Sequence, residues 1–124
     1  MKKVKDFQVI VDLTIQVLGW SCSIPTIRLK DVQRGTYSPT TNNITLPSWL
    51  HNFPEVFQIY YCVHEACHRK VLNHRHEFKK LERRALAFWG IEIDYKKAYP
   101  KNLYVHGRKV YDDKKDFKKF SKKT

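Results

Sequence analysis

Between Asp6 and Trp20 the apolar positions Phe7, Val9, Ile10, Val11, Leu13, Ile15, Val17 and Leu18 mix helical with alternating spacing, and the length of the stretch decides for a helix ending at Gly19. The pattern then changes period. Ile27 and Leu29 alternate with polar neighbours over Thr26–Lys30, and "GTYSPTTNNITLP" sets a Pro-Thr-Thr-Asn-Asn turn between two short extended pieces, which together predict a small antiparallel meander. Asn52 and Pro54 punctuate the chain before Glu55 to Leu72, a stretch without Gly or Pro that is apolar nearly all round and so predicts a helix buried on most sides. Asn73 reads as its stop signal. A second helix is expected from near His76 through Phe78, Leu81, Ala85, Leu86 and Phe88 to Gly90. Beyond it, "NLYVHGRKVY" predicts two extended pieces around His106-Gly107, a hairpin, and "DDKKDFKKFSKKT" is too charged to fold alone. Helices around a small sheet make the fold class α+β.

Composition narrows this further. The chain has 124 residues and 42% hydrophobic content, enough for one domain with a modest core, and no apolar run approaches the roughly 18 residues of a membrane span. The basic start resembles a signal peptide only superficially, because Asp6, Gln8, Asp12 and Gln16 interrupt any continuous apolar stretch; an amphipathic helix is the reading. Cys22, Cys62 and Cys67 form no even framework and no C-x-x-C pair, which fits a reducing, cytoplasmic setting. Charge is uneven: 13 Lys/Arg face 9 Asp/Glu through Tyr95, but 11 face 3 after it. A binding or catalytic core over residues 1–98 with a basic extension over 99–124, hairpin and disordered end included, is the expected layout. A polyanion such as DNA is the natural partner of that tail, with Tyr99, Tyr104, Tyr111, Phe117 and Phe120 stacking on bases; the alternative is a solvated tail whose aromatics cap the core.

Four of the six histidines fall in "VHEACHRKVLNHRHEFKKLE". His64 and His68 stand four apart, so on a helix they share a face and suit one cation, with Glu65 directly after the first. This H-E-x-x-H pattern serves metal-assisted hydrolysis: two imidazoles hold Zn²⁺ and the carboxylate takes a proton from an activated water. Polar groups at 64, 65 and 68 in an otherwise apolar helix would cost a few kcal/mol if unpaired, a difficulty a metal removes. Catalytic zinc commonly takes about three protein ligands, and His74, six residues after His68, is the favoured third, with His76, Glu77 and Glu82 as rivals. Val71 occupies the glycine position of the metzincin pattern and the sole Met is Met1, so a metzincin is excluded. Cys67 is turned about 100° from His68 on a helix and reads as core.

The stretch resembles the SprT-like and YgjP-like zincin metallopeptidases, in which H-E-x-x-H is followed after about five residues by another His and then a Phe. His64, Glu65, His68, His74 and Phe78 match that pattern, and Gly35, Tyr37, Ile44 and Leu46 fit the family's hairpin upstream. The likeness covers residues 24 to 90. Ala66 stands where the family carries an aliphatic such as Leu, and the absence of cysteine beyond Cys67 removes any zinc ribbon, leaving one zinc per chain. The resemblance implies a minimal zincin: a three-stranded antiparallel sheet on the active-site helix, flanked by N- and C-terminal helices, with Zn²⁺ in a cleft below an edge strand that takes extended peptide. It also implies action on DNA-associated proteins. The expected reaction is peptide-bond hydrolysis, with Zn²⁺ on His64, His68 and His74 and Glu65 as general base. A non-catalytic, zinc-containing nucleic-acid-binding protein is the competing reading.

Overall fold

Helix α2 (Glu55–Cys67) runs through the middle of the chain's packing, as its all-round apolar surface requires: it touches α1 (Val4–Val17), α3 (His76–Phe88), and strands β2 (Thr36–Ser38), β3 (Asn43–Pro47) and β6 (Arg108–Asp112). The remaining elements are β1 (Thr26–Lys30), a 3₁₀ turn over Ser48–Asn52, β4 (Ile91–Lys96), β5 (Tyr99–Val105) and α4 (Asp113–Ser121). The computed structural model describes residues 4–19, 24–73, 75–96 and 99–121. Cys22 and His74 lie outside them.

In α1 the ambiguous period resolves as helical: Phe7, Ile10, Val11, Thr14 and Ile15 are buried while Val9, Leu13 and Val17 face out. Gly19, at φ +66, ends the turn, its N–H donating to the Gln16 carbonyl. Thr14 Oγ1 accepts the Trp89 indole N–H at 3.0 Å, pinning α1 to the end of α3.

The α+β class holds, with four helices and two three-stranded sheets among the described residues. Strand direction in the first sheet corrects the expected meander. The order is β1-β3-β2: β2 pairs antiparallel with β3 through the 39–42 turn, but β1 pairs parallel with β3, Ile27 opposite Ile44 and Leu29 opposite Leu46. The link over residues 31–35 carries the chain past β3 to its far side, which a meander would not do. Buried Ile27, Ile44 and Leu46 make the inner face. On the outer edge of β1, Gln8 accepts from the Ile27 N–H (3.0 Å) and donates to the Pro25 carbonyl (2.9 Å), so α1 covers that edge. Gly35 lies so close that its N–H donates to the Tyr61 hydroxyl at 2.8 Å.

Two further corrections concern ends of elements. The motif helix stops at Cys67 rather than Leu72, with His68 in helical conformation at its cap and a turn continuing through Val71. Asn73 acts after the helix, its side chain accepting from the Arg75 N–H at 3.0 Å just before α3. The stretch expected to be disordered is a helix over Asp113–Ser121. Asp112 accepts from the Lys114 N–H and Asp116 accepts from the Asp112 N–H, which satisfies donors at the start of α4, while Lys118 and Lys119 sit at its negative end. Its apolar side meets the core: Phe117 packs on Trp49 and Phe53, and Phe120 on Phe53. The second sheet, β4-β5-β6, is antiparallel, with a hairpin turn in which His106 and Gly107 both have positive φ. It contributes buried Ile91, Leu103 and Tyr111 to the common core, Tyr111 packing on Phe57. Tyr111 is therefore a core aromatic, and Phe117 and Phe120 cap the core, with Phe117 still 38% exposed.

Candidate active site

The last turns of α2 place His64, Glu65 and His68 together, at 8%, 5% and 9% exposure. Helical spacing brings the two imidazole centroids to 5.1 Å with planes at 89°. Phe78, fully buried on α3, holds both rings: it stacks on His68 at 4.6 Å and meets His64 edge-on at 5.1 Å. That accounts for an aromatic at this position.

Each ring is oriented through Nδ1. His68 Nδ1 lies 3.0 Å from the Val71 carbonyl oxygen, which can only accept, so the proton is on Nδ1. The turn after Cys67 supplies that carbonyl, giving the early end of α2 a role at the site. His64 Nδ1 lies 2.6 Å from Glu82 Oε2, and the Tyr60 hydroxyl oxygen is 3.5 Å from the same nitrogen. In the neutral rings both Nε2 atoms then carry the lone pair, the form in which imidazole ligates a metal. Burial works against protonation of His64, but the hydrogen bond and charge of Glu82 outweigh it and hold its pKa above the usual histidine value.

Of these three site residues, Glu65 is the one that protein packing alone does not explain. Its Oε1 is buried with no hydrogen-bond partner among the described residues. Such an orphan costs on the order of 1–3 kcal/mol, a cost that a proton-bearing reactant could offset. Burial pushes its carboxyl up to about 7, with His64 opposing and Glu82 adding to the rise. A carboxylate of that affinity is suited to proton exchange near neutral pH.

The sequence-derived candidates divide as follows. His64, Glu65 and His68 come together. His74 falls outside the described residues, and among those described no group of three or more His, Cys, Asp or Glu side chains assembles around one point. His76 and Glu77 are exposed on the first turn of α3. Glu82 is fully buried but directed at His64 Nδ1, the ring nitrogen away from Nε2. Cys67 is a buried free thiol, His51 stacks on Phe7 at 5.2 Å, and His106 is a turn residue. The chemistry of the donor set, two imidazoles oriented through Nδ1 beside a carboxylate with one unpartnered oxygen, fits a divalent metal such as zinc.

Sequence reasoning missed Tyr95, whose hydroxyl donates to Glu82 Oε1. Burial first, then the charge of Glu82, pushes the Tyr95 phenol far up, so it stays a donor. No local signal marks Tyr95. For Glu82 there was one: an acid at the i+4 position from Phe78 in the buried stripe Phe78, Glu82, Ala85, Leu86.

Comparison with known proteins bears on the family and the fold. The model of the YgjP-like metallopeptidase domain matches residues 3–90. The chain is similar to the metallopeptidase zymogen jannalysin of Methanocaldococcus jannaschii, at 28% identity and TM-score 0.56 over 68% of this chain and 82% of that one. It is similar in fold to the metallopeptidase zymogen abylysin of Pyrococcus abyssi, at 21% identity and TM-score 0.55 over 66% and 78% of the two chains. No curated protein matches it.

Proposed function

The chain belongs to the YgjP-like metallopeptidase family, and from that premise we propose that it is a zinc-dependent peptidase in which His64, His68 and His74 hold the metal and Glu65 is the general base. The family makes it a peptidase that uses a metal and acts on protein or peptide. Zinc, when bound, would polarise the scissile carbonyl and let a water lose its proton near neutral pH. Glu65 takes a proton from the attacking water and delivers it to the leaving amine. His64 and His68 contribute Nε2, each ring held by its Nδ1 hydrogen bond. An extended peptide would add to β2, since Gln8 already occupies the outer backbone groups of β1 at Pro25 and Ile27.

The observation that carries this reading is the buried, unpartnered Oε1 of Glu65 beside two imidazoles oriented through Nδ1. Glu65→Gln should retain one zinc per chain by elemental analysis and lose about 10²–10⁴ in hydrolysis of a susceptible protein. His68→Ala should lose both zinc and activity. Hydrolysis by Glu65→Gln at the wild-type rate would reject the mechanism; a zinc-loaded wild type that cleaves no protein would favour the non-catalytic, nucleic-acid-binding alternative.

The finer reading is that the substrates are DNA-associated proteins in the cytoplasm. Supporting it, α4 docks by its phenylalanines and leaves Lys114, Lys115, Lys118 and Lys119 exposed. Among the described residues no helix is long and apolar enough to cross a membrane. Replacing these four lysines with Gln keeps the packed face, and should flatten the log–log salt dependence of DNA binding by about 0.7–0.9 for each phosphate that is no longer neutralised. Equal, salt-insensitive binding by both proteins would remove DNA from the reading and leave the peptidase standing.

A further inference from the structure

Glu82 has no exposure to solvent and sits in the apolar stripe of α3, where a hydrophobic residue would pack at lower cost. Both its oxygens are used: Oε2 meets His64 Nδ1 at 2.6 Å, and Oε1 accepts the Tyr95 hydroxyl. Tyr95 is on β4, beyond residues 3–90 of the family domain. Its half-buried ring is flanked by two cations of α3, Lys79 Nζ at 5.1 Å and Arg83 Cζ at 5.0 Å from the centroid. Three elements thus converge on one imidazole: α2 provides it, α3 the carboxylate, and β4 the phenol.

We propose that Tyr95 and Glu82 form a relay that sets how tightly His64 holds the metal, so that the second sheet contributes to metal retention although it lies outside the family domain. The inference rests on the reading of His64 as a ligand. With Oε1 taken by Tyr95, the carboxylate can turn only Oε2 toward His64; this fixes the ring's tautomer and rotation and raises the basicity of Nε2. Lys79 and Arg83 steady the ring that carries the hydroxyl. Without the hydroxyl, Oε1 becomes a buried acceptor without that donor, and Glu82 can rotate away from His64 to satisfy it. Tyr95 and Glu82 are positioning residues: they act on the metal through His64.

The test is the zinc dissociation constant of the full chain, measured by competition with a chelator of known affinity, together with the ¹⁵N shifts of the His64 ring. Glu82→Gln should weaken zinc binding about 10–100-fold. Tyr95→Phe keeps the ring, and should weaken it about fivefold, the equivalent of one hydrogen bond. Because Tyr95 acts through Glu82, the double variant should bind no more weakly than Glu82→Gln alone, and Tyr95→Phe should broaden or shift the His64 Nδ1 resonance. Tyr61→Phe, which removes the hydroxyl that accepts from the Gly35 N–H, should leave the constant unchanged. Wild-type zinc affinity in Tyr95→Phe, or additive losses in the double variant, would overturn the relay while leaving His64 a ligand. Undiminished zinc binding by His64→Ala would overturn both the relay and the ligand assignment.

Discussion

A methyl group added to Gly35 would stand 2.8 Å from the Thr45 carbonyl oxygen and 2.8 Å from Tyr61 Cε1. The first of those atoms is backbone in the middle of β3 and cannot step aside. Gly35→Ala should therefore destabilise the protein by about 1–3 kcal/mol in a denaturant melt. Tyr61→Phe, which loses only the bond to the Gly35 N–H, should cost about 1 kcal/mol, and adding it to Gly35→Ala should not restore stability, because the Thr45 clash remains. This residue also shows what a sequence can disclose. Gly35 could be picked out by its likeness to a family hairpin, but the reason for it lies 10 and 26 residues away. His64, Glu65 and His68 were legible because helical spacing is local. Glu82 was seen and weighed as a ligand; that it faces Nδ1 instead depends on the packing of α3 against α2. Tyr95 was invisible, since only the fold brings it to Glu82.

Among the elements, the helices were readable and the sheets only partly so. Periodicity located α1, α2 and α3 because burial on one face repeats every turn. It could not order the strands: Ile27, Ile44 and Leu46 would face the core in either an antiparallel meander or the mixed sheet observed. Composition alone hid helix α4, because a net-charge argument ignores capping and docking, and both act there. Its two sides should separate in mutagenesis. Exchanging Lys114, Lys115, Lys118 and Lys119 for Gln should change stability by no more than about 0.5 kcal/mol per site. Phe117→Ala with Phe120→Ala should lower the melting temperature by several degrees, since each removes an aromatic ring packed on Phe53. Equal melting temperatures for the two variants would mean that α4 does not contribute to the core.

For the molecule as a whole, a metal at the proposed site would be coupled to the fold. His64, Glu65 and His68 are buried in the same interior that α1, α3 and both sheets share, so a metal held there would bind the native state more tightly than the unfolded chain. At zinc a thousandfold above its dissociation constant the native state gains about 4 kcal/mol, on the order of 10 °C in melting temperature, reversed by a chelator. Scanning calorimetry with and without chelator measures this directly, and a zinc-independent melting point would place the metal outside the core. One rim of the first sheet, that of β1, is closed by a single side chain. The Gln8 carboxamide, bonded at both ends to the backbone of Pro25 and Ile27, imitates the peptide group of a neighbouring strand. It blocks the backbone groups at which a strand of a second molecule could pair along β1. Exchanging Gln8 for Ala would uncover an amide and a carbonyl at that rim, and light scattering of concentrated solutions should then rise over days where the parent protein stays clear.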